Sequence, residues 1–170
     1  MHVQRTWDAI MNAPLTLDDV MLGELTWAVA KSLLSGLAIL AVIWGLGLYG
    51  NFWMTLWIIP VVALVGFCFG GMGLVINAVS PSYDFFLYYF TLVITPMVLL
   101  CGVFFPVSQL PALLQAISAW LPLTHAINLA RPLVVGTAPD NIVLHVVALL
   151  IYGSLGYIIA LTLTRRRLLN

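Results

Sequence analysis

Residues 142–167 read IVLHVVALLIYGSLGYIIALTLTRRR. Twenty-three residues with no Asp, Glu, Lys or Arg run directly into Arg165, Arg166 and Arg167. About 20 apolar residues suffice to cross the hydrocarbon core as a helix, and a basic cluster beside such a run marks the cytoplasmic side. The rest of the chain repeats the pattern. Three further apolar runs cover about 26–49, 54–79 and 85–104. The 170 residues are 63% hydrophobic and 7% charged, with mean hydropathy +1.11. A soluble domain carries about 25% charged residues, so this chain requires a bilayer as solvent. The sequence predicts an all-α integral membrane protein: four transmembrane helices, an N-terminal cytoplasmic amphipathic helix and an external re-entrant helical hairpin.

Val3 to Asn12 is the amphipathic helix. Val3, Trp7, Ile10 and Met11 recur at helical spacing, with Gln4, Arg5, Asp8 and Asn12 between them. Pro14 ends it, because the residue before a proline avoids the α region. Thr16-Leu17-Asp18-Asp19 has the form of a capping box and starts a helix that runs into the first span, 26–49. Lys31 lies near the start of that span and snorkels to the headgroups. The chain therefore divides into a cytoplasmic segment, 1–25, and a transmembrane domain, 26–170.

In the second span, Gly66 and Gly70 form a small-xxx-small pair that admits another helix closely. Ser80 to Asp84 is a short cytoplasmic loop in which Ser82 or Asp84 caps the third span. Pro96 kinks that span and frees a carbonyl for Thr95 or a neighbouring helix to satisfy. Residues 105–141 hold Pro106, Pro111, Pro122, Pro132 and Pro139. They are too punctuated to span and too apolar for a free loop. Leu110, Leu113, Leu114, Ile117 and Leu121 make one helical stripe, and Ile127, Leu129, Leu133 and Val134 another. The expectation is two short helices on the external side, with Asp140 capping the last span. Counting four crossings puts both termini in the cytoplasm.

Catalytic and energetic signals are sparse. Lys31 is the sole lysine and sits in Ala30-Lys31-Ser32, without the glycine of a phosphate-binding loop. Energised work would need ATP bound by another chain. Glu24, Asp84 and Asp140 fall at span ends rather than mid-membrane, against an ion pathway of the chain's own. Zero formal net charge argues against nucleic acid. Cys68 and Cys101 read as small buried hydrophobes. His145 reads as a histidine bonded to a neighbouring helix, and His125 as an interfacial polar residue. No cofactor, metal or catalytic residue is expected.

The order of features resembles a known family. An amphipathic helix ending in Ala13-Pro14 is followed by Gly23-Glu24, Ser80-Pro81-Ser82-Tyr83-Asp84 and Pro96. Then come Cys101-Gly102-Val103-Phe104-Phe105-Pro106, Leu121-Pro122-Leu123-Thr124-His125 and Ala130-Arg131-Pro132. This resembles the ABC-2 type permeases over nearly the whole chain, most specifically in the Gly102 to Pro132 block. The resemblance implies a permease subunit of an exporter in the bacterial inner membrane. It would move a bulky amphiphile such as a lipo-oligosaccharide, polysaccharide or drug, driven by a separate ATP-binding subunit, and act as a homodimer among membrane lipids. It implies that Arg5, Trp7, Asp8, Asn12 and Pro14 belong to a coupling helix docking on that ATPase. Pro96, Phe104, Phe105, Pro106 and Arg131 would line the substrate path or its gate. Family permeases have six spans, and by this pattern the chain begins where the second ends, as the C-terminal two-thirds of a permease. The alternative is a four-span scaffold protein that transports nothing.

Overall fold

A computed structural model describes residues 16–80, 83–104 and 107–169. The amphipathic segment with Arg5, Trp7, Asp8, Asn12 and Pro14 lies outside the described residues, as do Ser82, Phe105 and Pro106. All regular structure in the described residues is helical. Three segments are long and apolar enough to cross a membrane: Leu17–Gly45, Phe52–Val79 and Ile142–Arg167. Asp84–Leu100 is a shorter apolar helix.

Helix α1 (Leu17–Gly45) starts at the expected capping box. The Thr16 amide donates to the Asp19 carboxylate at 2.9 Å, and the Asp19 amide donates back to the Thr16 hydroxyl at 3.3 Å. The helix ends four residues before the predicted Tyr49. Gly47 adopts φ +69°, the left-handed conformation glycine takes at no side-chain cost. Leu48 N–H then closes on the Ile43 carbonyl and Gly47 N–H on that of Trp44, a Schellman closure.

The second run is interrupted. Helix α2 (Phe52–Leu56), capped by the Asn51 side chain, is separated at Trp57 from α3 (Ile58–Val79). Pro60 has no N–H for the Leu56 carbonyl, so the α ladder cannot pass that point intact.

The third run is helix α4 (Tyr83–Tyr89), a wider π turn over Phe90–Ile94, and α5 (Thr95–Leu100). Pro96 disturbs the helix as predicted, and the response is the π turn: both the amide and the hydroxyl of Thr95 donate to the Phe90 carbonyl. Asp84 lies in the first turn of α4 rather than capping it. The run stops at Leu100 instead of Phe104, because Gly102 takes φ +85°.

Two short helices follow, as expected: α6 (Ala112–Trp120) and α7 (Pro122–Val135), joined at Leu121. The α7 stripe points inward, with Leu129 and Leu133 buried. The α6 stripe does not. Leu113 is 74% exposed and Ile117 44%, while Ser118 is fully buried and its hydroxyl bonds that of Thr124 at 3.3 Å. In a lipid-embedded chain the hydroxyl seeks the protein partner and the leucines turn outward.

Helix α8 (Ile142–Leu169) continues six residues past the expected Leu163. Its start also differs. Asn141 (φ 49°), not Asp140, precedes the helix, and its carbonyl accepts from the His145 amide.

Helix α3 packs between α1 and α8. Gly66 and Gly70 face α1, where any added methyl would meet Ser32, or Ala28 and Leu25, which places the predicted small-residue pair at a helix contact. The Ser32 hydroxyl reaches the Val62 carbonyl at 3.3 Å. On the opposite side Gly71 meets Gly153 and Gly156 of α8 backbone to backbone. Helix α7 covers the other end of this trio: Ala126 and Leu129 pack with Cys68 and Leu149, and Leu133 with Leu40 and Ile58. Cys68 and Cys101 are both buried and unpaired with one another.

Candidate functional site

Two polar regions lie at opposite ends of the bundle. At one end the start of α1 meets the ends of α3 and α8. Arg165 holds the Asp18 carboxylate through both oxygens, at 2.8 and 2.7 Å. Arg167 donates to the carbonyls of Ala78 and Ser80, which close α3, where a cation complements the negative helix end. The Arg165–Asp18 pair is about half exposed, so it fixes geometry more than it stabilises. The Lys31 ammonium sits 5.9 Å from the Trp27 ring centre, one turn nearer this end.

At the other end α7 carries the polar groups. Its 14 residues begin with Pro122 at the first turn and finish at Gly136, in the left-handed conformation. Arg131 leaves α7 and donates to the Gly102 carbonyl at 2.7 Å and the Val103 carbonyl at 3.4 Å. This bond joins two predicted gate elements, Arg131 and the segment leading to Phe104, which is itself 63% exposed. Pro96 stands apart, one turn before the end of the helix that delivers this segment. Charged hydrogen bonds of this kind contribute about 1.5–3 kcal/mol. The side chain is exposed, so Arg131→Met is expected to destabilise by roughly 1–2 kcal/mol. That corresponds to a fall in melting temperature of about 2–8 °C in detergent. Arg131→Lys keeps the charge without the fork and falls between. An unchanged melting curve for both variants would show that the tie is incidental.

Sequence reasoning missed the pairing of the histidines. His125 of α7 and His145 of α8 meet through their Nδ1 atoms at 2.8 Å. The neighbouring-helix bond expected for His145 is present, but its partner is the residue read as merely interfacial. A short connection between antiparallel helices was the available signal, since it brings residues about 20 apart together. His125 is held below the usual imidazole range by burial and, second, by His145. A cavity of about 420 Å³ beside the pair is lined by Asn128, Arg131, Asp140, Asn141 and His145. An apolar groove of about 480 Å³ on the other side of the α7–α8 seam is lined by Trp57, Leu64, Leu129, Ile142 and Leu150 among others. Among the described residues no three His, Cys, Asp or Glu side chains gather as metal ligands would.

Residues 3–135 match the ABC-2 type transporter family. The chain belongs to that family. Over its full 170 residues this ABC-2 chain is 45% identical to nodulation protein J of Bradyrhizobium diazoefficiens, covering 64% of that protein. It is 44% identical, also over its full length, to nodulation protein J of Rhizobium leguminosarum bv. viciae, covering 65%. It is 41% identical to that of Rhizobium meliloti over 99% of the chain, covering 64%. The ABC-2 chain thus spans a little under two thirds of the length of these curated relatives. No solved structure matches it. Family membership and the apolar helices together make it a multi-pass membrane protein.

Proposed function

We propose that this chain is a membrane permease subunit of an ATP-binding-cassette exporter in the bacterial inner membrane. The observation that carries the reading is the family match, which runs from the amphipathic segment through the end of α7. In this reading Asp84–Leu100 is the fourth span, shortened by the winding before Pro96. The end of the bundle that holds Asp18, Arg165 and Arg167 faces the cytoplasm, as three adjacent arginines favour. Residues 105–141 form the external hairpin, dipping back into the membrane with the α6 leucines toward lipid.

A partner subunit binds and hydrolyses ATP, and the segment around Arg5, Trp7, Asp8, Asn12 and Pro14 receives its movement. Two copies of the permease form the path, and Arg131, Phe104 and Pro96 stand near its outer end. The cargo class is a bulky amphiphile, matching the apolar and polar cavities that flank the α7–α8 seam.

The test is co-purification. A C-terminally tagged copy expressed from its own chromosomal locus, extracted in mild detergent, is expected to bring down one ATP-binding subunit in stoichiometric amount. Cells lacking the gene are expected to retain an amphiphile that the parent strain releases. A tagged protein that returns free of any ATPase, with export of lipids and glycolipids unchanged in the deletion strain, would defeat the reading in favour of a scaffold.

A further inference from the structure

The contact between His125 and His145 is a bond between two like groups. Their ring centres lie 5.1 Å apart and their Nδ1 atoms 2.8 Å apart. One ring must carry a hydrogen on Nδ1 while the other presents a lone pair there. A pair that gains one proton keeps the bond, because the cation still donates to its neutral partner. A second proton turns both Nδ1 atoms into donors and leaves two cations in contact. His145 is buried and His125 partly so, so two adjacent cations would be poorly hydrated.

We propose that the His125–His145 pair is a proton-operated latch, which docks α7 onto α8 while at most one proton is added and releases it once both rings are protonated. The groups around it leave that role to the pair. Arg131 of α7 and Asp140 before α8 line the cavity that His145 also lines, and their charges offset. Helices α2 and α6 contain no titratable side chain. Helix α3 contributes Cys68, in the cluster beneath Ala126 and Leu129. From α8 itself Tyr152 faces this region, donating to the Trp120 carbonyl at 2.6 Å. Among the described residues neither histidine has a carboxylate within ion-pair distance.

The sign of the effect follows. His125 is shifted below its ordinary value by burial first and His145 second. The docked form therefore binds protons less readily than the released form. Docking is undisturbed above the ordinary imidazole value of about 6.5, weakens progressively as the pH falls below it, and is lost once both rings are charged. Helix α7 also carries Arg131, bonded to the Gly102 carbonyl, and Val134, whose carbonyl accepts from Gly50. Release of the latch would loosen both connections at once. The latch stands independently of any transport role.

The test uses the whole chain in lipid nanodiscs. Spin labels on Asn128→Cys and Asn141→Cys, both exposed, straddle the cavity between the helices, and the native cysteines are buried. Dipolar broadening between the labels is expected to fall by at least half between pH 7.5 and pH 5. Adding His125→Gln and His145→Gln should abolish this pH dependence. Unchanged broadening in the parent, or a change that persists in full without the histidines, overturns the latch. Nitrogen NMR of the unsubstituted protein gives a second readout. At pH 7.5 one protonated and one bare Nδ1, coupled across the hydrogen bond, are expected, and two uncoupled bare Nδ1 atoms would overturn it.

Discussion

Gly71→Val is expected to remove most folded protein from detergent extracts. A Cβ built on Gly71 would run into the carbonyl of Gly153, and one built on Gly156 into the backbone of Gly71 and Met72. Both obstacles are main chain. A flexible side chain can swing aside from a new methyl, but a helix backbone moves only if the whole helix moves. Overfilling a packed core commonly costs about 1–3 kcal/mol. Here the obstruction is rigid and sits at the centre of the α3–α8 contact, so about 3 kcal/mol or more is expected, over a hundredfold in the folding equilibrium. Membrane helices associate through packing and hydrogen bonds rather than by escaping water, so little else compensates for a parted seam. Gly73 is the internal control. It lies on the same helix with nothing within 4 Å of an added methyl, so Gly73→Ala is expected to be neutral or to stabilise by up to about 1 kcal/mol through helix propensity. Monodisperse yield and thermal midpoint measured side by side would decide. Equal behaviour of the two variants would mean that the seam is not close-packed in the membrane.

The features visible in the sequence were those that one local rule controls. The apolar runs, the Thr16–Asp19 box, the glycine pair at 66 and 70, and a disturbance at Pro96 all depend on local sequence. The helix ends were less legible. Gly47 and Gly102 end their helices by taking positive φ, yet both lie in apolar runs whose hydropathy continues past them. The facing of the α6 stripe was not legible for another reason. An amphipathic stripe normally marks the core face, but a bilayer rewards apolar surface on the outside too, and Ser118 then decides which face meets the protein. Arg165 with Asp18 and His125 with His145 join residues 147 and 20 positions apart. Such pairs are set by which helices pack together, which no single window of sequence contains. At the candidate site, Arg131 was identified from its family block, but its partners, the Gly102 and Val103 carbonyls, became visible only in the fold.

In the proposed coupling role, reversing charge at Asp8 or Arg5 is expected to cut export at least tenfold while leaving the spans folded. These two residues lie in a ten-residue amphipathic segment that Pro14 separates from α1. In the sequence only Leu15 stands between this proline and Thr16. Thr16 and Asp19 cap α1 through reciprocal bonds, and Asp18 in the same turn is held by Arg165 of α8. Arg167, two residues further along α8, holds the end of α3. A displacement arriving at Thr16 therefore reaches α1 and α8 directly and α3 through Arg167. It would be transmitted as a movement of the bundle end rather than absorbed in a loop. An ATPase can bias such a movement only by binding one arrangement better than the other, so its grip on the segment must be specific. In the proposed coupling, Asp8→Arg or Arg5→Glu would set like charges against the partner's surface, and charge pairs at interfaces couple by about 1.5–7 kcal/mol. Export is expected to fall at least tenfold, and the ATPase to lose its stimulation by the permease. The melting temperature should move little, since substitutions away from packed contacts stay within about 0.5 kcal/mol. Normal export with undiminished ATPase stimulation in both variants would remove the coupling role from this segment. The bundle-end clamp would then serve stability alone.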